Sequence, residues 1–227
     1  MILKSLTSGI VAGAAAGLFT GLLQLALVQP VLLHAELYET GALVHRGAEA
    51  VSARWEWSGI DPARDGLSLL FSMLIFAGYG LLLTAAMSLA TEGETSISPR
   101  AGAIWGVCGF VAAQLAPAFS LPPEVPGAAH IDLSQRQIWW YATVAVTAVA
   151  LWLLAFGRSN WHALAAIVLL LAPHVIGAPQ PEHFEGPVPQ ELAALFASRA
   201  LGAGLAGWTV LGATLAWLRK HSAESSV

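Results

Sequence analysis

Three long apolar runs in this chain end near a proline, and His or carboxylate residues follow at once. The first exit reads QPVLLHAELYE (Gln29 to Glu39), the second APAFSLPPEVPG (Ala116 to Gly127) and the third APHVIGAPQPEHFE (Ala172 to Glu185). An acid or imidazole at a membrane boundary is costly unless something employs it. The candidate cation ligands are therefore His34, Glu36, Glu39, Glu124, His174, Glu182 and His183. Glu36 and Glu39 are three residues apart, so a continuing helix would set them on one face, with His34 off it. Three prolines around Glu124 stiffen its loop and fix where the acid points. Glu182 and His183 form an acid–imidazole pair between prolines. Carboxylate oxygen and imidazole nitrogen suit a first-row divalent cation, and the spacing alone does not choose which. No HExxH or finger spacing is present.

The elements that position these groups are membrane helices. The chain has 227 residues, of which 56% are hydrophobic and 11% charged. Its mean hydropathy is +0.67. Soluble domains are nearer a quarter charged. Six apolar segments can be read, at Leu6–Leu33, Leu67–Ala90, Ala101–Phe119, Ile138–Phe156, Trp161–Ile176 and Leu195–Leu218. About 20 residues cross the hydrocarbon core. The first segment exceeds that, so its last turn should emerge. The fifth is short, which leaves five spans as the alternative to six. Only Gly157 to Asn160 separates segments four and five, which predicts an antiparallel hairpin. The expected fold is an all-α polytopic bundle, a single membrane domain over residues 1–227, with residues 34–66 as its longest extramembrane loop.

Gly9, Gly13, Gly17 and Gly21 recur every four residues in the first segment, and Gly102 and Gly106 repeat the spacing in the third. Such a stripe lets another backbone approach closely. Lys4 followed by Ala14-Ala15-Ala16 resembles a signal peptide, but the apolar run of 28 residues is too long for one, and an uncleaved helix is expected. Gln24-Leu25-Ala26 and Gln114-Leu115-Ala116 precede the first two exits, and Arg64, Arg136 and Arg199 stand near the start of each returning helix. This suggests three helical hairpins. The arginines serve either as snorkelling anchors or as partners of the exit carboxylates.

With six spans, one side carries Lys4, Arg100, Arg158, Arg219 and Lys220 on short segments. The positive-inside rule makes that side cytoplasmic, with both termini. Glu92, Glu94 and Glu224 are its acids, and all the others fall on the opposite side with His34, His45, His130, His174 and His183. A negative outer surface concentrates cations. Longer outer loops account for part of this excess, most of all in the first loop.

Other chemistries lack their signatures. Two lysines, Lys4 and Lys220, give no nucleic-acid footprint. There is no GxxxxGK[ST] and no GxSxG. The lone Cys108 makes neither an internal disulfide nor a multi-cysteine cluster. Trp55, Trp57, Trp139, Trp140 and Trp161 read as interfacial anchors. No enzyme is indicated.

HAELYE, LPPEVPG, RQIWW (Arg136 to Trp140) and PHVIGAPQP (Pro173 to Pro181) together resemble the CbtA family of proposed bacterial cobalt-transporter subunits. The resemblance implies about five spans in the inner membrane and import of cobalt for cobalamin synthesis. It also implies a CbtB-type partner, a one-span protein with a His-rich stretch. No permanently bound cofactor follows from it; cobalt(II) would be the transported ion. The resemblance supplies no assigned ligands. Two readings from other classes stay open: a non-conducting scaffold for a metal-binding partner, and a membrane redox or haem protein. The second fits poorly, because His162 and His174 lie toward opposite ends of one short segment.

Overall fold

The computed structural model describes residues 2–44, 59, 61–91, 97–128, 131–181 and 186–224. Among them the ordered elements are all helical. Helix α1 (Ile2–Leu23) passes through a π-helical turn at Gln24–Val28 into α2 (Gln29–Glu39). Helix α3 covers Pro62–Ala90. Helix α4 (Pro99–Phe110) passes through a second π turn at Val111–Leu115 into the short α5 (Ala116–Ser120). Helices α6 (Leu133–Phe156), α7 (Asn160–Ile176) and α8 (Gln190–Glu224) complete the order. Five helical stretches are long and apolar enough to cross a membrane, and α7 is a shorter apolar helix. Their outward faces carry large apolar side chains such as Phe71, Leu82, Phe119 and Val175, as a lipid solvent allows.

Both π turns have one cause. Proline lacks an N–H, and its ring crowds the carbonyl four residues back. For Pro30 that carbonyl belongs to Ala26, and for Pro117 to Ala113, each inside a π turn. Widening the helix by one residue relieves the clash. The first helix consequently runs farther than its sequence predicts. It stays helical from Leu3 to Glu39, roughly 55 Å at about 1.5 Å per residue, against a core of about 30 Å.

The chain divides into two compact units. The first comprises Met1–Leu27, Gly59–Phe110 and Gly202–Val227. Its α1 lies on α3 along the glycine stripe, and all four glycines are buried. A Cβ on Gly17 would come within 2.6 Å of Met73 Cα and the Ser72 carbonyl oxygen, so the contact is backbone on backbone. Helix α4 meets α8 in the same way. Gly102 faces Gly212 and Ala216 just as Gly9 faces Gly80 and Thr84, and Gly106 meets Trp208 as Gly13 meets Phe76. The Trp208 ring stacks on Tyr79 at 4.6 Å and lies 6.2 Å from Phe76. Buried Thr20 and Thr84 satisfy their hydroxyls on the carbonyls of Ala16 and Gly80, at 2.7 Å each.

The second unit comprises Val28–Ser58 and Val111–Leu201. Helices α6 and α7 pack together across a three-residue connection, residues 157–159, as the predicted hairpin requires. Helix α5 and the second π turn pack on α6. Asp132 starts α6 by accepting from the Gln135 backbone N–H at 3.0 Å, and Gly177 ends α7, its N–H donating to the Pro173 carbonyl at 3.0 Å. Of the expected loop over residues 34–66, helix α2 occupies the first part and α3 the last, while residues 45–58 lie outside the described residues.

Candidate cation mouth

The site is built around the segment Phe119–Gly127 of the second unit. Because α2 remains helical to Glu39, Glu36 and Glu39 do share a helical face, Glu36 half-buried and Glu39 exposed. His34 lies off that face, its ring 5.7 Å from that of Tyr38. Gly127 adopts φ +75°, a left-handed turn that side-chain-bearing residues resist. A Cβ there would come within 3.3 Å of Glu39 Cβ and Cγ. Glu39 thus abuts the loop that carries Glu124.

Glu124 and Arg136 form an ion pair, with both side chains about a third exposed or less, at 27% and 30%. The expected pairing of a returning-helix arginine with an exit carboxylate holds here. Arg64 instead bonds its neighbour Asp65 at 2.9 Å. His174 follows the buried Pro173 in the last turn of α7. Its Nδ1 is 2.8 Å from Ser120 Oγ. The Phe119 ring meets its edge at 5.1 Å, and Trp139 lies 6.3 Å away. With Nδ1 engaged and the ring wedged between aromatics, Nε2 is the nitrogen left for a cation.

A cleft of about 270 Å³ opens where the two proline-rich loops meet. Ser120, Glu124 and Gly127 line one wall, and Pro179, Gln180, Pro181, Gly186 and Val188 the other. LPPEVPG and the end of PHVIGAPQP, far apart in sequence, therefore form one cleft. Glu182 and His183 lie outside the described residues, although Pro181 and Gly186 on either side of them line the cleft.

Glu39, Glu124 and His174 thus each belong to or touch the Phe119–Gly127 segment. Among the described residues, no three His, Cys, Asp or Glu side chains are close enough to hold one ion together. Ser120, which bonds His174, has no signature in the sequence, because no spacing links it to a residue on α7. Some of the other acids have structural employment. Asp61 caps α3, accepting from Ala63 and Arg64 N–H at 3.0 and 3.1 Å, and Asp132 caps α6. The Asp-Pro step at the start of α3 and the Asp-x-x-Gln at the start of α6 were the available signals.

Comparison with curated proteins and with solved structures found no match. A family model described as "Probable cobalt transporter subunit (CbtA)" matches residues 2–220. Helices fit to cross a membrane and a match over nearly the whole length establish that this chain belongs to the CbtA family of probable cobalt transporter subunits.

Proposed function

We propose that this chain receives divalent cobalt at the Phe119–Gly127 mouth and passes it across the bacterial inner membrane for cobalamin synthesis. The mouth opens outward and both termini are cytoplasmic. The observation that carries this reading is the convergence on one short loop of Glu124, Glu39 and the Ser120-bonded His174, beside a cleft built from the two proline-rich motifs. The two carboxylates and the imidazole stand too far apart to grip one ion together, so each would offer oxygen or nitrogen in turn to a first-row cation that is held loosely and passed on. The Glu124 carboxylate is neutralised by Arg136 in this state. An arriving cation would compete with that guanidinium. Glu36, His34, Glu182 and His183 would enlarge the ligand set as the ion moves. A one-span His-rich subunit of the CbtB type would be the partner that the word "subunit" implies.

The test is uptake of radioactive cobalt(II) by cells expressing the chain alone and with that partner. The expected result is that Glu39→Ala and His174→Ala lower uptake when cobalt is scarce and matter less when it is abundant, at unchanged protein level. Normal uptake at scarce cobalt in a Glu36/Glu39/His174 triple-alanine variant would remove the site and leave a non-conducting scaffold as the better account.

A further inference from the structure

Below the mouth, helix α6 carries a polar stripe. Arg136, Trp139, Thr143 and Thr147 follow one another at intervals of three or four residues, which sets them on one helical face. Trp139, Thr143 and Thr147 are buried, whereas Ile138, Tyr141 and Val149 on the other faces are exposed. The stripe begins at the guanidinium that holds Glu124 and runs toward the membrane centre. Thr147 is eleven residues beyond Arg136, roughly 16 Å along the helix, about halfway through a core of about 30 Å.

The polar atoms on this stripe are not all satisfied. Thr143 donates to the Trp139 carbonyl at 2.8 Å, as Thr20 and Thr84 do to carbonyls of their own helices. Thr147 does not. Its hydroxyl is wholly buried and has no partner among the described residues. The Trp139 indole N–H is likewise buried and unpaired, and so is Oε1 of Gln114 in the π turn that packs on α6. An indole N–H only donates, an amide oxygen only accepts, and a hydroxyl does both. That inventory suits water, and oxygen lone pairs suit a partly hydrated cation. Inside a bilayer no bulk solvent satisfies such atoms, and native proteins leave few of them orphaned.

We infer that this face of α6 is one wall of a path, closed in the present state, along which a hydrated divalent cation descends from the mouth to mid-membrane. Thr147 and Gln114 supply oxygen to the ion or its water, and Trp139 donates to that water at the upper end. The inference rests on the transport reading for its cargo, but the path has a readout of its own.

The experiment places single cysteines in a Cys108→Ala background at Thr147, and at Val149 as the lipid-facing control. A small cationic methanethiosulfonate reagent is applied from the side that bears Glu124, with and without excess cobalt(II) chloride. Thr147→Cys is expected to react at least tenfold faster than Val149→Cys and to be slowed by cobalt. Equal rates at the two positions overturn the path. The isosteric Thr147→Val, which removes only the hydroxyl, is expected to lower cobalt uptake severalfold, while Thr147→Ser keeps it. Wild-type uptake in Thr147→Val also overturns the path. Fast labelling in a protein that takes up no cobalt upholds the path and removes the cobalt reading. Uptake without labelling does the reverse.

Discussion

Replacing Gly17 by alanine adds one methyl group, and the α1–α3 seam leaves no room for it. The new Cβ would sit 2.6 Å from both Met73 Cα and the Ser72 carbonyl oxygen, neither of which can rotate away. Carbon atoms pack best at about 3.5–4.0 Å, so the helices must part by roughly 1 Å. Overpacking of this kind costs about 1–3 kcal/mol, against which alanine's better helix propensity returns at most about 1 kcal/mol. The net expectation is a loss of about 1–2 kcal/mol. Gly78, on the same α3 helix, has nothing within 4 Å of its Cβ position. Gly78→Ala should be neutral or stabilising by up to about 1 kcal/mol. The two variants should therefore differ by about 2 kcal/mol, roughly thirtyfold in the unfolding equilibrium. Reversible unfolding of the purified protein in mixed micelles of rising dodecyl sulfate fraction measures this directly. A Gly17→Ala protein as stable as Gly78→Ala would refute the claim that the seam is a backbone contact.

Three further outcomes follow from the same structure. Reporter fusions after Val227 and near Gly59 should report opposite sides, the C-terminus cytoplasmic; an external C-terminus removes the six-span topology. Arg136→Gln should lower the cobalt concentration for half-maximal uptake about thirtyfold, since a positive charge about 4 Å away opposes a divalent cation by about 2 kcal/mol even in water; a higher concentration would mean that Arg136 supports the site. Asp132→Ala should cost about 1 kcal/mol of stability by uncapping α6 and leave cobalt uptake unchanged, which separates capping acids from candidate ligands.

Much of the helical plan was legible because it rests on local patterns. The apolar segments, the α6–α7 hairpin and the glycine stripe follow from run length, connection length and four-residue spacing, all of which act within one helix or between neighbours. The π turns were not legible in the same way. Pro30 and Pro117 could each have kinked or ended a helix, and packing around the freed carbonyls decides that the ladder widens and continues. Gln-Leu-Ala marked a repeat in sequence, whereas the repeat seen in the packing pairs Gly9 and Gly80 with Gly102 and Gly212. That pairing joins helices distant in sequence, so no periodicity reveals it. At the mouth, Arg136 near Glu124 was within reach of sequence reasoning because twelve residues separate them. The approach of Glu39 to Gly127 and of Ser120 to His174 was not, since each is a tertiary contact between groups with no common motif. Asp61 and Asp132 add to the negative charge of the loops, yet their position before a helix marks them as caps.

The glycine seams also bear on the order in which the protein assembles. A glycine has no rotamers to freeze, so closing such a seam costs no side-chain entropy on its side. The α1–α3 seam joins successive membrane segments and can lock while synthesis continues. The α4–α8 seam cannot. Gly102 and Gly106 must wait until Trp208 and Gly212 have left the ribosome, and until then their groove stands open to lipid or to a wrong helix. Helix α8 thus completes a unit whose other helices are made well before it, and a chain cut short before Trp208 would leave that groove bare for the cell's quality control to find.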